Sequence, residues 1–490
     1  MKVLFAAGEA VPFCKTGGLA DVAGVLPVAL KGMKHDVRVV LPKYRDVDVH
    51  AYGLKPLDVV LRLPLGDVVE TAGLWEGRLA GKVPVYFVDA PKYFDRDGLY
   101  RDGNKVDFSD NDDRFILFSR AVLETAKALD FRPDIVHAND WQTGLIPAYL
   151  ETLYLLDAFF LPTASVFTVH NIAYQGVFPK NTLFRAGFSW SDFTPDRLEF
   201  FDQVNFLKAG LVFAHGLNTV GPTYAREISS NPVFGRGMEG ILSLRKDFIG
   251  ILNGLDRRIW NPSKDPHLAR SFTSANLAAR KDCKTDLQRE AGLDPDSRAP
   301  LLGMVSRMDP QKGVDIILEI LEGFLKEGIQ AVFLGSGDPE KKEALRGLAK
   351  KHPGRAAVVE GFNDPMAHKI YGGADLFLMP SLFEPCGLGQ MIALRYGCVP
   401  VVTPTGGLLD TVEPFNGEKH TGVGFMAQRP EASAYRQALA EAVSLYRSDP
   451  AAWRGLQQRG MSLDFGWGKS VEAYVALYER ALERKRSIPR

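Results

Sequence analysis

The chain begins with Met1-Lys-Val-Leu-Phe-Ala-Ala-Gly-Glu9, continues through Lys15-Thr-Gly-Gly-Leu-Ala-Asp21 and reaches a second apolar run at 36–41. The first run is short and apolar, as in a buried strand, and apolar residues recur at three- and four-residue spacing over 19–31, as in a helix. A glycine-rich turn that joins such a strand to such a helix predicts a parallel βαβ unit.

The same alternation continues along the whole chain. We predict strands near 2–7, 36–41, 84–88, 134–137, 165–169, 216–220, 248–252, 300–305, 330–334, 356–360, 374–379 and 399–403. The clearest helical patterns cover 19–31, 114–129, 314–326, 339–351 and 433–446. Strands that alternate with helices in this way predict an α/β protein with two doubly wound, Rossmann-like parallel sheets in series.

The break between the two sheets lies near 243–262, where a short strand ends in the turn residues Asn253-Gly-Leu-Asp256 and Asn261-Pro262. We therefore assign 1–242 to a first domain and 243–463 to a second. The tail 464–490 is a separate helix. Its apolar stripe needs a surface to pack against and consists of Val471, Tyr474, Val475, Tyr478 and Leu482.

Composition excludes several classes of protein. The 490 residues include 59 Lys plus Arg and 59 Asp plus Glu, so the formal charge is zero and a nucleic-acid partner is not expected. The most apolar later stretch, 153–169, is interrupted by Asp157 and Pro162, so no membrane span is expected. The four cysteines form no C-x-x-C pair, which fits a reducing cytoplasm and argues against a disulfide framework or a structural metal.

Polar or glycine-rich residues follow one predicted strand after another. They are Lys15 to Asp21, His137-Ala-Asn139-Asp140-Trp141, His170-Asn171, Ser306-Arg307 with Lys312-Gly313, Glu384-Pro-Cys-Gly387, and Thr405-Gly-Gly407. Ligands bind beyond the carboxyl ends of parallel strands, so both halves of the chain offer groups on one rim, as a cleft between two domains requires.

Each group of cations in this set has two possible interpretations, one as a ligand contact and one as an ordinary surface charge. Lys15 with the amides of Gly17 and Gly18 could hold an anion at the start of a helix, or it could be a solvated lysine at a helix entry. Arg307 and Lys312 could be an ordinary surface pair, or they could neutralise a diphosphate.

The other candidates are also ambiguous from spacing alone. Glu384 is either a charge that stabilises a helix N-terminus or an acceptor for ligand hydroxyls. Cys386 is better explained as a small packed residue than as a nucleophile, because no histidine lies near it in sequence. His170 is either a structural histidine in a turn or a ligand contact.

Taken together, these motifs resemble glycosyltransferase family five, the bacterial glycogen and plant starch synthases. The resemblance runs in order from residue 1 to about 480. It also includes Thr168-Val-His170-Asn171-Ile-Ala-Tyr-Gln-Gly176, Asn253-Gly254-x-Asp256, Gln311-Lys312-Gly313 and Thr405-Gly-Gly-Leu408.

The resemblance implies a GT-B fold, with two Rossmann-like domains facing each other across a cleft and the tail helix crossing back onto the first domain. It implies transfer of glucose from ADP-glucose to the non-reducing end of an α-1,4-glucan, with retention at the anomeric carbon. ADP-glucose and a glucan or maltooligosaccharide are then the partners. No cofactor and no metal are expected, because no Asp, Glu and His set with suitable spacing accompanies the cations.

The resemblance also implies roles for individual residues. Lys15, Asp140, His170, Arg307, Lys312 and Glu384 are the expected catalytic set, and Gly17, Gly18, Asp21, Asn171, Asn253, Gly254, Cys386, Gly387, Leu388, Thr405, Gly406 and Gly407 are expected to bind substrate. Lys15, Arg307 and Lys312 would meet the donor phosphates. Glu384 would hold sugar hydroxyls, and Asp140 with His170 would lie beside the glucosyl unit on the acceptor side.

Two positions depart from the family pattern. Gly389 stands where family members commonly have Thr, so one hydroxyl contact to phosphate is in doubt, and Asn139 stands where they commonly have His. Rival interpretations are a sugar-nucleotide epimerase of GT-B fold, a glucan synthase that uses UDP-glucose, and a glucan-binding protein without turnover. The sequence favours neither a monomer nor a homo-oligomer.

Overall fold

The computed structural model describes residues 1–361 and 363–487, and the chain divides into two compact units. The first unit contains Met1–Leu252 together with the last helix, and the second contains Asn253–Gly466. Each unit is built around its own sheet.

The first unit contains a nine-stranded sheet and a small antiparallel sheet of three strands. Its strands are β1 (Lys2–Ala6), β2 (Asp36–Pro42), β3 (Lys55–Leu65), β4 (Val68–Leu79), β5 (Val83–Asp89), β6 (Ile135–Asn139), β7 (Ala164–Val169), β8 (Val177–Pro179), β9 (Glu199–Phe200), β10 (Gln203–Asn205), β11 (Gly216–Thr219) and β12 (Ile249–Gly250). The large sheet has the order β12-β11-β7-β6-β1-β2-β5-β4-β3, and β8 to β10 form the small one. Among the strands described in the large sheet, the β3–β4 and β4–β5 pairings are antiparallel and the others are parallel.

Helices cover the first sheet. They are α1 (Gly18–Gly32), α2 (Pro91–Phe94), α3 (Asn111–Ala128), α4 (Leu145–Leu150), α5 (Thr182–Arg185), α6 (Phe206–Phe213), α7 (Pro222–Ser230), α8 (Pro232–Gly235) and α9 (Glu239–Leu244). In α1 the residues Leu19, Val22, Leu26 and Leu30 are buried. Their three- and four-residue spacing puts them on one helical face, which is the pattern that predicted this helix.

The second unit contains a six-stranded parallel sheet of order β15-β14-β13-β16-β17-β18. Its strands are β13 (Leu301–Val305), β14 (Gln330–Gly335), β15 (Ala356–Glu360), β16 (Leu376–Met379), β17 (Val399–Val402) and β18 (Phe425–Met426). Its helices are α10 (Arg280–Glu290), α11 (Val314–Lys326), α12 (Pro339–Lys351), α13 (Asp364–Gly373), α14 (Gly389–Arg395), α15 (Gly406–Thr411), α16 (Ala432–Ser448) and α17 (Pro450–Ser462). Strand residues such as Leu302, Phe333 and Val401 pack with α11 and α16 in one core.

The boundary between the units differs from the predicted one. The first unit ends at Leu252 and not at 242, because β12 pairs with β11 and so completes the first sheet. The second unit ends at Gly466 and not at 463.

The last helix, α18 (Trp467–Ser487), belongs to the first unit and packs against α1, β7 and β11. Its buried face differs from the predicted stripe, because Val475 and Leu482 are only half-buried. The buried residues are Trp467, Ser470, Val471, Tyr474, Leu477, Tyr478 and Ala481. Within residues 1–361 and 363–487, no helix is both long and apolar enough to cross a membrane.

Candidate functional site

The predicted site residues lie in two clusters, one in each unit. The first-unit cluster consists of Lys15, Gly17, Gly18, Asp21, Asp140, His170 and Asn171, and it follows β1, β6 and β7. The second-unit cluster consists of Asn253, Gly254, Arg307, Lys312, Glu384, Cys386, Gly387, Leu388, Thr405, Gly406 and Gly407, and most of it follows β13, β16 and β17. In each unit these three strands are parallel neighbours, so their carboxyl ends share one edge of the sheet.

Lys15 forms an exposed ion pair at the start of α1. Its Nζ lies 2.8 Å from Asp21 Oδ1, and the two side chains are 44% and 30% exposed. Such a pair contributes only about 0–1 kcal/mol, so an anionic ligand could replace Asp21 at little cost. A Cβ on Gly18 would meet no other atom within 4 Å, so packing does not require this glycine.

Asp140 occupies a strained position at the end of β6. Its backbone has φ 56° and ψ −178°, a region that is almost restricted to glycine and costs about 1–3 kcal/mol. The carboxylate Oδ1 accepts hydrogen bonds from the amides of His170 at 2.6 Å and Asn171 at 3.4 Å. Burial raises the pKa of Asp140 to about 7. Strain together with a perturbed carboxyl is typical of a functional site.

His170, directly after β7, is buried and held by its neighbour Asn139. Its Nε2 lies 2.9 Å from Asn139 Oδ1, whereas Nδ1 is buried without a hydrogen-bond partner among the described residues. Burial lowers the pKa of His170 to about 3, so the ring is neutral at physiological pH. Asp140 and the dipeptide His170-Asn171, predicted from separate motifs, are therefore in direct contact.

Glu9 is a candidate that the sequence analysis missed. The carboxylate is 3% exposed and accepts hydrogen bonds from the backbone amide and, at 2.8 Å, from the hydroxyl of Thr16. Burial raises the pKa of Glu9 to about 7. The hydroxyl of Tyr100 is buried, and the charges of Glu9 and Asp140 add to the effect of burial in raising the pKa of this phenol. A carboxylate three residues beyond a buried strand was the available signal.

In the second unit, Lys312 and Glu384 form a buried ion pair. Lys312 Nζ lies 2.6 Å from Glu384 Oε2, and the side chains are 17% and 6% exposed. Ser381 donates a second hydrogen bond, of 3.0 Å, to the same oxygen. Gly313 makes this approach possible, because it has φ 67° and a Cβ there would lie 1.9 Å from the carbonyl oxygen of Pro380.

Arg307 follows β13 in the same region of the second unit. Its guanidinium is 38% exposed and lies 3.2 Å from Asp309 Oδ2 and 3.4 Å from Gln311 Oε1. Gln311 in turn donates to the carbonyl of Phe383, the residue before Glu384. The predicted cations and the predicted carboxylate therefore belong to one hydrogen-bonded loop system.

The loop from Cys386 to Leu388 lies against the start of α15. A Cβ on Gly407 would come within 2.0 Å of the Cys386 carbonyl oxygen, so this contact requires a glycine. Gln390 donates to the carbonyls of Cys386 and Gly387. Burial raises the pKa of the Cys386 thiol to about 12, which fits a packed residue and not a nucleophile.

Two further positions offer hydrogen-bonding atoms to a ligand, and a third concerns packing. Asn253 Oδ1 and Thr405 Oγ1 are buried without a hydrogen-bond partner among the described residues. Gly389, which departs from the family pattern, faces Phe377, and a Cβ there would lie 3.0 Å from the ring. A larger side chain would press on that ring, which gives a packing reason for the departure.

No group of three His, Cys, Asp or Glu side chains within residues 1–361 and 363–487 could hold a metal ion. The Asp-rich segment 95–113 instead pairs its carboxylates with arginines. Arg96 lies 2.6 Å from Asp110, and Arg101 lies 2.7 Å from Asp107.

Comparison with known proteins gives consistent matches. The sequence profile of the starch synthase catalytic domain matches residues 2–244, and that of glycosyl transferases group 1 matches 288–454. A glycogen synthase of Syntrophotalea carbinolica is 45% identical over 99% of both chains. One from Anaeromyxobacter sp. is 47% identical over 98% of this chain and 99% of that one. The catalytic domain of starch synthase IV from Arabidopsis thaliana, solved with ADP and acarbose, superimposes with a TM-score of 0.91 at 34% identity and covers 98% of this chain and 99% of that chain.

Proposed function

This chain belongs to the glycogen synthase family, and from that premise we propose that it moves glucose from ADP-glucose to the non-reducing end of an α-1,4-glucan with retention of anomeric configuration. The relatives establish that the chain is a glucosyltransferase of glycogen synthesis and has the two domains of the GT-B fold. A sugar-nucleotide epimerase is not favoured.

The contact between Lys312 and Glu384 is the observation that carries the proposal. A nucleotide sugar joins a diphosphate directly to a hexose, so a cation and a carboxylate 2.6 Å apart suit the two sides of the bond that breaks. Lys312 and the half-exposed Arg307 would stabilise the negative charge that grows on the leaving ADP. Glu384 would accept hydrogen bonds from sugar hydroxyls.

The first-unit cluster supports a role toward the acceptor glucan. Asp140, His170 and Glu9 are buried groups that accept hydrogen bonds, which is what a hydroxyl-rich sugar needs. His170 Nδ1 is an acceptor without a partner among the described residues. Lys15 and the amide of Gly18, at the N-terminus of α1, are proposed to contact phosphate, which the weak pairing of Lys15 with Asp21 would permit.

The proposal includes no cofactor. Fixed cations and backbone amides supply the positive charge that a departing diphosphate requires, so no step needs a metal. The partners are ADP-glucose and a glucan, with no nucleic acid or membrane partner. A cytoplasmic location is proposed because Cys14, Cys283, Cys386 and Cys398 are all free thiols.

Labelled nucleotide sugar and maltoheptaose test this function. We expect ADP-glucose to extend maltoheptaose with release of ADP, at an unchanged rate in EDTA, and UDP-glucose to react far more slowly. A faster reaction with UDP-glucose would reject the donor assignment, and a rate abolished by EDTA and restored by Mn²⁺ would reject the metal-free chemistry. Conversion of the nucleotide sugar to an epimer without chain growth would reject the transfer itself.

A further inference from the structure

The orientation of the Asn139 side chain is fixed by its surroundings. Its Nδ2 lies 3.0 Å from the carbonyl oxygen of Ala6 and 3.4 Å from that of His137. A carbonyl oxygen can only accept a hydrogen bond, so the amide nitrogen must face these two groups and Oδ1 must face the other way. Asn139 is fully buried at the end of β6, and no solvent can relax this choice.

The fixed amide oxygen determines the proton on the neighbouring histidine. Asn139 Oδ1 lies 2.9 Å from His170 Nε2. Because Oδ1 is an acceptor, Nε2 must carry the hydrogen. In a neutral imidazole the other nitrogen, Nδ1, then carries a lone pair and can only accept.

Nδ1 is the atom that this arrangement leaves unused. It is buried, and no described residue donates a hydrogen bond to it. The backbone of the same residue is held separately, because Asp140 Oδ1 accepts from the His170 amide at 2.6 Å. Two consecutive residues thus control one histidine: Asp140 fixes its backbone, and Asn139 fixes its ring and its tautomer.

We propose that Asn139 is a positioning residue that locks His170 in the Nε2–H tautomer, so that Nδ1 accepts a hydrogen bond from a hydroxyl of the acceptor sugar. The inference rests on the proposed function for the identity of that hydroxyl donor. The tautomer itself does not depend on it. With Asn139 removed, nothing on this side of the ring selects one tautomer. In the Nδ1–H form, Nδ1 could no longer accept a hydrogen bond from that hydroxyl.

The tautomer can be read directly by long-range ¹H–¹⁵N correlation spectra of the full chain labelled with ¹⁵N-histidine, in which protonated and unprotonated ring nitrogens resonate far apart. His170→Ala identifies the signals of His170. We expect wild type to show only the Nε2–H form and Asn139→Ala to show a mixture. Asn139→Val, which fills more of the space, serves as a second variant in case the first does not fold.

Asn218→Ala is the matched control. Asn218 is also a fully buried asparagine on a strand of the same sheet, but it bonds to Thr168 and Tyr474 and not to His170. We expect this control to leave the His170 tautomer unchanged. A wild-type Nδ1–H form, or a tautomer that neither Asn139 variant alters, would overturn the inference.

Kinetics link the tautomer to sugar recognition. We expect Asn139→Ala to lower kcat/KM for maltoheptaose by about tenfold while KM for ADP-glucose changes less than about twofold, as for the loss of a single hydrogen bond to the acceptor. A change confined to ADP-glucose would contradict the proposed contact. Absence of chain extension in wild type would reject the proposed function, whereas the tautomer spectra would still decide the role of Asn139.

Discussion

Lys312 and Glu384 are separated by 72 positions in the sequence and are in contact in the folded chain. Both side chains are largely buried, so each charge depends on the other for stabilisation. Removal of one partner of such a pair leaves an uncompensated buried charge, whereas removal of both often costs little. A comparison of the single variant with the double variant therefore separates the effect of the pair on stability from its effect on catalysis.

We expect Lys312→Met to lower the free energy of unfolding by about 3–5 kcal/mol and Lys312→Met/Glu384→Gln to recover most of that loss. Both variants should lose at least about 100-fold in kcat, because a group that meets transition-state charge is missing from each. Chemical denaturation and steady-state kinetics measure the two effects. Lys341→Met is the control, because its partner Asp315 is 56% exposed and the pair should contribute under about 1 kcal/mol. If the double variant regained activity as well as stability, the pair would have a structural role only.

Asp140 provides a prediction about pH. Its pKa is about 7 in the folded chain because of burial, against about 4 for an exposed aspartate. The folded state therefore binds this proton more tightly than the unfolded state. The resulting stabilisation is present below about pH 4 and is lost as the pH rises through about 7.

Asp140→Asn removes this titration. We expect the stability of the variant relative to wild type to be higher at pH 8 than at pH 5, by about 2–4 kcal/mol in the free energy of unfolding. Melting curves at the two pH values provide the test. Asp67→Asn, in the exposed turn between β3 and β4, should show no such difference. If the stability of Asp140→Asn relative to wild type were the same at pH 5 and pH 8, the pKa of Asp140 would not be raised in the folded chain.

At the scale of elements, α18 is joined to the first sheet by a directed chain of hydrogen bonds. Thr168 Oγ1 donates to Asn218 Oδ1, so it must accept from His137 Nε2, and His137 Nδ1 must accept from the phenol of Tyr478 at 2.8 Å. Burial lowers the pKa of His137 to about 3, so it stays neutral and keeps this pattern. Helix α18 is thus held on the first sheet by a buried hydrogen bond as well as by its apolar contacts.

Tyr478→Phe tests this connection. The change keeps the ring but leaves His137 Nδ1 without a donor, so we expect a loss of about 1–3 kcal/mol in the free energy of unfolding. Tyr52→Phe is the matched control, because the Tyr52 phenol also donates a hydrogen bond but the residue is 37% exposed and water can replace it. Equal effects of the two changes would show that the connection to α18 is not specific.

Most elements could be predicted from the sequence because buried parallel strands are continuous apolar runs. All twelve predicted strands exist, although the one at 248–252 is reduced to Ile249–Gly250. The β3–β4 hairpin was missed, although its strands alternate buried and exposed residues, because β3 contains Pro56 and Pro64, which argue against a strand. The two-residue turn Gly66-Asp67 was its overlooked signal.

The candidate site could be predicted only in part. Motifs at strand ends predicted candidate residues that lie at one edge of each sheet, because the carboxyl ends of neighbouring parallel strands meet there. Their partners were not predictable, since the Lys312–Glu384 contact depends on β16 lying beside β13, an order that local patterns do not contain. The His170–Asn139 contact likewise depends on the pairing of β6 with β7.

At the scale of the whole molecule, the two units carry complementary chemistry. The second unit holds cations beside a carboxylate, which suits a nucleotide sugar, and the first holds buried acceptors, which suit the hydroxyls of a glucan. The proposed transfer relies on these fixed charges at the ends of parallel strands. The proposed retention would follow from attack on the same face of the sugar that ADP leaves.

The NMR spectrum of the first product tests the retaining transfer of glucose from ADP-glucose that we propose for this chain. With ADP-glucose labelled with ¹³C at the anomeric carbon and maltoheptaose as acceptor, we predict one new labelled signal, that of an α-1,4-linked glucosyl unit, formed at the rate at which ADP appears. A β-linked product, free labelled glucose as the main product, or an epimerised nucleotide sugar would contradict the account.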